Sequence, residues 1–254
     1  MFGKAARLGL LFFVVAMLAP LLVRSATFEW DGKPWYEASR APSGLAPDPR
    51  LEPRAVVQVY AARTYGWRGI FAVHTWIAIK PAGATAYRRF DVIGWGGGRS
   101  VRENYAAADA LWYGHAPRRL LDLRGEAAER LIPRLYRAVQ DYPWPQTYQS
   151  FPGPNSNTFI AHIARSVPEL GLDLPPTAIG KDYRRLSDPL GLPPSGRGLQ
   201  LSLGGLVGLI VSPVEGLEVN LLGLSAGVDF TGPALRLPGW GRLGWAQLGL
   251  PSQE

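Results

Sequence analysis

The stretch IFAVHTWIAI, Ile70 to Ile79, reads as a β-strand: β-branched and aromatic residues dominate it, and the turn-forming Lys80-Pro81-Ala82-Gly83 closes it. Its neighbours extend the pattern. AVVQVYAA, from Ala55, is a strand of the same kind upstream, and YRRFDVIGW, Tyr87 to Trp95, is another downstream that runs into Gly96-Gly97-Gly98. The short gap between the second and third strands predicts an antiparallel hairpin.

Helical spacing takes over beyond them. Ala106 to Ala110 is weakly helical, and GEAAERLIPRLYRAVQDY predicts a better helix with Leu131, Leu135, Ala138, Val139 and Tyr142 on one side. Pro133 either kinks this helix or marks its first turn. In PGPNSNTFIAHIARSVPEL, the Asn-Ser-Asn cluster opens a second helix, Phe159, Ile160, Ile163 and Val167 keep helical spacing, and Pro168 stops it.

The C-terminal part has its own pattern. GLQLSLGGLVGLIV from Gly198 and GLEVNLLGLSAGVDF from Gly216 align at a constant offset, which predicts two similar strands or hairpins. Leu and Val alternate there with Gln, Ser, Glu and Asn. The expectation is that the apolar face packs on the core, with bilayer contact as the alternative. The fold class is therefore α+β: a small antiparallel sheet with packed helices, an N-terminal membrane helix and a C-terminal β appendage. The boundaries are 1–25 for the membrane segment, 26–54 for a linker, 55–195 for the core domain and 196–254 for the β-hairpin repeat and tail.

At the N-terminus, Lys4 and Arg7 precede the uncharged run LGLLFFVVAMLAPLLV, Leu8 to Val23. Such a run spans roughly 24 Å as a helix, short of the ~30 Å hydrocarbon core, so an uncleaved anchor and a cleaved signal both fit. The missing Ala-x-Ala pattern favours the anchor. Basic residues on the near side place the protein in the inner membrane with its body on the extracytoplasmic side.

Composition excludes several classes of function. The absence of cysteine rules out disulfides, thiolate metal sites and a cysteine nucleophile. The net charge of +7 comes from scattered arginines, with no basic stripe or recognition motif, so no nucleic-acid partner is expected. His74, His115 and His162 have no zinc spacing, and the glycine runs lack a phosphate-loop pattern, so neither metal nor cofactor is expected.

The residues that could carry chemistry are His74 and Ser156. Ser156 opens a helix, where backbone N–H groups favour developing negative charge, and histidine can take a hydroxyl proton near neutral pH. Asp91, in phase with Ile93 and Trp95, is the first choice to orient His74; it serves equally as a surface partner of Arg88 or Arg89. Gln58 is the second choice and, with Trp76, would line a pocket. Asn155 and Asn157 either donate to an oxyanion or cap the helix. As ordinary structure, His74 would be a hydrogen-bonded core residue and Ser156 part of a helix cap.

His-Thr-Trp-Ile on a strand, followed by Asn155-Ser156-Asn157-Thr158-Phe159 opening a helix, resembles the circularly permuted papain-like superfamily, which includes the NlpC-like and lecithin retinol acyltransferase-like enzymes. The resemblance implies a papain-like scaffold with Ser156 where the catalytic cysteine would stand. Over Val56 to about Gly241 the chain is also similar to an uncharacterised family of bacterial envelope proteins known only as a domain of unknown function. A helix N-terminus and a histidine can ionise a thiol but not a hydroxyl in the ground state. The expectation is therefore a membrane-tethered, non-catalytic binding or assembly module. The alternative is a serine-dependent hydrolase or acyltransferase acting on a cell-wall amide or a lipid ester. Its partners would be the membrane and a cell-wall or lipid ligand.

Overall fold

The computed structural model describes residues 2–30 and 32–244. A long helix, α1 (Phe2–Thr27), comes first. The core sheet follows: β1 (Val56–Arg63), β2 (Val73–Lys80), β3 (Arg88–Val92), β4 (Val101–Glu103) and β5 (Arg118–Arg124), all antiparallel in the order β4-β3-β2-β1-β5. Helices α2 (Glu126–Gln140) and α3 (Ser156–Ser166) pack on one face of it. The expected hairpin of β2 and β3 forms, with Ile77 opposite Phe90.

Both central strands are buried on both faces, which is why they read as nearly continuous apolar runs. Val57, Val59, Ile77, Ile79 and Phe90 face the helices. Tyr60, Trp76, Ala78 and Ile93 face the other way into an aromatic cluster with Trp112 and Tyr113. The segment expected to be a linker covers this second face: Asp109 accepts hydrogen bonds from the Leu45 and Ala46 amides and from Ser43 Oγ. That same anchoring corrects the expected helix at Ala106 to Ala110, which is a turn whose Ala110 bridges to Pro42. β5 was not anticipated, because Arg118-Arg119-Leu120-Leu121-Asp122-Leu123-Arg124 has doublets in place of alternation. A register shift at Val59/Tyr60 accommodates it. Pro133 lies in the interior of α2, on its solvent side.

The N-terminal segment is helical as expected, but no helix among the described residues is long and apolar enough to cross a membrane. The apolar run, which includes Pro20, is shorter than the helix that carries it, and the helix also holds Lys4, Arg7 and Arg24.

The C-terminal part forms a seven-stranded meander: β6 (Leu190–Gly191), β7 (Leu199–Leu203), β8 (Val207–Ser212), β9 (Gly216–Leu221), β10 (Leu224–Asp229), β11 (Ala234–Leu237) and β12 (Gly241–Gly244), each paired with the next. β7 with β8 and β9 with β10 are the two hairpins of the repeat, and β11 continues the spacing. Leu199, Leu217 and Leu235 thus share one face, while Gln200, Glu218 and Arg236 share the other.

Here the structure overturns the expected packing. The face turned to the core is the polar one, with Gln200, Ser202, Glu218, Asn220 and Arg236 buried, and the Leu and Val face is exposed. Ion pairs and amide bonds hold the polar face down. Lys181 Nζ lies 2.8 Å from Glu218, Arg236 Nε donates to Glu218 at 2.8 Å, and its two terminal nitrogens donate to Asp173 at 2.9 and 2.6 Å. Asn220 donates to the Asp182 carboxylate at 2.6 Å, and Gln200 to the Asp182 carbonyl at 2.7 Å. A buried charge is tolerated only when it is paired and hydrogen-bonded, as Lys181, Glu218, Arg236 and Asp173 are; Asp182 has only the Asn220 amide there, and burial raises its pKa.

Candidate functional site

Helix α3 begins in a dense network. The Asn155 side chain accepts from the Asn157 and Thr158 amides at 2.9 and 3.2 Å, and Thr158 Oγ1 accepts from the Asn155 amide at 3.1 Å, closing a capping box. Both amide hydrogens of Asn155 are also engaged, with the Ser150 and Ile179 carbonyls. Asn157 donates to the Val73 and Ile179 carbonyls at 3.0 and 2.8 Å. An amide nitrogen has two hydrogens to give, so neither side chain has one left for an oxyanion. Of the two roles open to Asn155 and Asn157, the geometry supports capping for the first and tying α3 to β2 for the second.

Ser156 is buried as the first residue of α3, and among the described residues its hydroxyl makes no hydrogen bond. Its carbonyl accepts from Thr75 Oγ1 at 3.3 Å, and Thr75 also donates to Asn157 Oδ1 at 2.9 Å. Thr75 therefore faces the helices. His74, one residue earlier, projects from the opposite face of the sheet by the two-residue alternation of a strand.

On that face, His74 and Asp91 meet. Nε2 of His74 lies 2.9 Å from Asp91 Oδ1, and Arg89 clamps the same carboxylate from Nε at 2.7 Å and from a terminal nitrogen at 2.8 Å. The Arg89 guanidinium sits 4.1 Å above the ring centre of Trp76 and donates to the Ala107 carbonyl at 2.8 Å. The imidazole is stacked on Trp112, ring centres 3.6 Å apart and planes within 7°. Burial pushes the His74 pKa down despite the Asp91 carboxylate, so the ring is neutral. Burial alone would raise the Asp91 pKa, but Arg89 and then the hydrogen bond from His74 outweigh it and hold the carboxyl below its ordinary value. With Asp91 ionised, Nε2 carries the proton and donates, leaving Nδ1 as the acceptor nitrogen.

Trp76 stacks against His74 as the alternation predicts and donates from Nε1 to the Ala108 carbonyl at 2.7 Å. Gln58 is not brought to His74: it donates to Asp122 at 3.0 Å and accepts from Tyr60 at 2.7 Å, in a separate network along β1. Asp91 is buried rather than a surface partner, yet it pairs with Arg89 all the same. The phase of β3 could have found Arg89, since it alternates with Asp91 and Ile93. Trp112 and Thr75 were missed: Trp112 arrives on a loop whose course no local pattern announces, and Thr75 is an ordinary strand residue until α3 lies on it.

Among the described residues, no group of three His, Asp or Glu side chains could hold a metal ion. Two surface cavities, of about 260 and 420 Å³, are lined by Arg118, Arg119, Asp173 and Arg242 and by Leu123, Leu131, Arg134 and Glu169, respectively, and neither includes His74 or Ser156.

In comparisons with known proteins, no curated protein and no solved structure matches the chain. One family model does match, described as a protein of unknown function, DUF3750, over residues 54–183, just over half of the chain. That span covers the core sheet and α3 with its cap, and stops before the C-terminal meander. The chain belongs to this family, DUF3750.

Proposed function

We propose that the protein is a membrane-associated envelope protein, with its body on the extracytoplasmic side of the inner membrane, and that its papain-like scaffold serves as a non-catalytic binding or assembly module. The observation that carries this reading is the closed setting of His74. One face of the imidazole is covered by Trp112, Nε2 is held by Asp91, and the strand alternation turns the ring away from the sheet face on which α3 presents Ser156. A general base has to reach the proton that it removes, within about 3.2 Å or through one water. The test is labelling of the full chain with a serine-reactive fluorophosphonate. No labelling that depends on Ser156 is expected, and labelling that disappears in Ser156→Ala would overturn the reading.

A second reading has its own support. The Ser156 hydroxyl, unbonded at a helix N-terminus, and the acceptor Nδ1 of His74 are the two groups that a serine hydrolase or acyltransferase would use on a cell-wall amide or lipid ester. Under it, His74→Gln abolishes fluorophosphonate labelling as completely as Ser156→Ala does.

A further inference from the structure

The C-terminal meander turns its apolar side outward, and the strand register makes that side continuous. Leu199, Val211, Leu217, Val228, Leu235 and Leu243 stand opposite one another in turn, one row across six strands. A second row runs through Leu201, Leu209 and Val219, and a third through Leu203, Val207 and Leu221. With strands about 4.8 Å apart and alternate residues about 6.8 Å apart, the first row runs roughly 24 Å and the three rows together are roughly 14 Å deep across β7, β8 and β9. Leu199 is 74% exposed, Val211 49% and Leu235 52%. Soluble antiparallel sheets bury this side and wet the other; a contiguous apolar patch of this extent marks a surface that has a partner.

What surrounds the patch points to its occupant. Helix α1 contacts β10 and β11, and its own Leu8, Leu11, Leu18 and Leu22 are exposed, so a second apolar surface stands next to the meander. Exposed tryptophans ring the end of that helix. Trp240 donates from Nε1 to the Pro20 carbonyl at 2.8 Å, Trp67 lies in the single helical turn Gly66–Ile70 that packs on α1, and Trp30 stacks edge-on against Tyr65 beside that turn. Arginines stand among them: Arg24 over the Trp240 ring at 5.7 Å and Arg68 over Trp67 at 4.9 Å. Arg63 is held down to about 10 by its burial and then by the nearby charges of Arg24 and Arg118. Tryptophan and arginine around an apolar surface suit the headgroup layer of a bilayer, and several arginines beside it suit an anionic one.

We propose that the outward Leu and Val face of the meander, together with α1, seats on the surface of an anionic lipid bilayer. The sheet lies at the boundary of headgroups and acyl chains and does not span, because β6 and β12, its edges among the described residues, would leave backbone groups unpaired in hydrocarbon. The polar inward face then has a physical reason. An apolar sheet side can be given to lipid only if the side that docks on the core is held by other means, here the Lys181, Glu218, Arg236 and Asp173 network.

The proposal rests on the membrane association put forward above, and one experiment separates the two. The chain has no cysteine, so Leu209→Cys in the full chain, labelled with the fluorophore NBD, reports on the meander alone, and Ala127→Cys on the exposed side of α2 is the reference. The vesicles are equal parts phosphatidylglycerol and phosphatidylcholine. The protein is expected to float with them, the label at 209 to brighten several-fold and be quenched by doxyl-labelled lipid, and the label at 127 to stay unchanged. Arg68→Gln, exposed beside Trp67 in the turn that packs on α1, should weaken partitioning to these vesicles by about fivefold and leave partitioning to pure phosphatidylcholine unaltered. Flotation with a label at 209 as wet as that at 127 would overturn the proposal and leave the membrane association standing. No flotation would remove both. A label at 209 already shielded without lipid, in a particle of twice the monomer mass, would assign the face to a second copy of the chain instead.

Discussion

His74 donates from Nε2 to Asp91 at 2.9 Å, and the same carboxylate is held on its other side by the fully buried Arg89. A neutral imidazole, a carboxylate and a guanidinium thus form one chain inside the protein, on the sheet face away from the helices. Each member is satisfied only because the next one is present.

Asp91→Asn should therefore be among the most destabilising single substitutions in the core sheet. It leaves the Arg89 charge buried without its counter-charge, and breaking such a pair costs about 3–5 kcal/mol. Thermal unfolding of the purified full chain measures it. A change under about 1 kcal/mol would mean that Arg89 finds water, which its burial argues against.

The pH dependence of stability follows from the same chain. Burial lowers the His74 pKa, and likewise that of His162. A histidine with a depressed pKa takes up a proton on unfolding, so its contribution is intact above the unfolded value of about 6.5 and is lost as pH falls below it. Each group adds a slope of at most about 1.4 kcal/mol per pH unit. Asp91 is depressed instead as a carboxylate, so its contribution is present above 3.8, its ordinary value, and fails only as pH falls further. Urea unfolding between pH 7 and 5 should show the histidine slope, and His74→Gln should reduce it by one proton's worth. An unchanged slope would place the titration elsewhere.

At the start of α3, Asn155 and Ser156 should separate sharply. Asn155→Ala removes a cap worth about 1–2 kcal/mol and takes the side-chain donor from the Ser150 carbonyl, while the Ile179 carbonyl keeps its bond from Asn157. Ser156→Ala removes a hydroxyl with no partner and should change stability by less than about 1 kcal/mol. Gly180→Ala should behave like the first, since Gly180 has φ of +89° and an added Cβ would come within 2.5 Å of the Asn155 amide nitrogen. Thermal shifts of the three variants test this in a single series.

Glu218→Gln should loosen the meander while sparing the core sheet. Lys181 and Arg236 would then share a neutral amide where they now share a carboxylate. Hydrogen exchange in β9, β10 and β11 should accelerate by more than tenfold, while β1 and β2 exchange as before. Equal acceleration in both sheets would mean that they unfold together.

The legibility of the candidate site follows residue by residue. The two-residue period of β3 put Asp91 in phase with Ile93, and β2 put His74 in phase with Trp76, so their sharing a face was readable once the hairpin was recognised. Asn155 was readable as a cap from its residue type and place. Whether His74 and Ser156 share a sheet face was not, because that depends on which side of β2 carries α3, and nothing local to either segment records it. Trp112 was hidden for a similar reason: a loop residue has no period.

The sequence by itself determined the α+β class, the strands β1 to β3, the helices α2 and α3 and the repeat in the C-terminal part. All of these rest on local signals, namely periodicity, caps and breakers, that operate within a few residues. Only the tertiary structure decided which side of the meander faces the core. Alternation says that two faces differ, and the general preference for burying apolar groups then points the wrong way. The outcome was set by Asp173 and Lys181, which the fold brings to the polar face from another part of the chain as counter-charges for Arg236 and Glu218, with Asp182 accepting from Asn220 beside them; a buried charge goes where its counter-charge is.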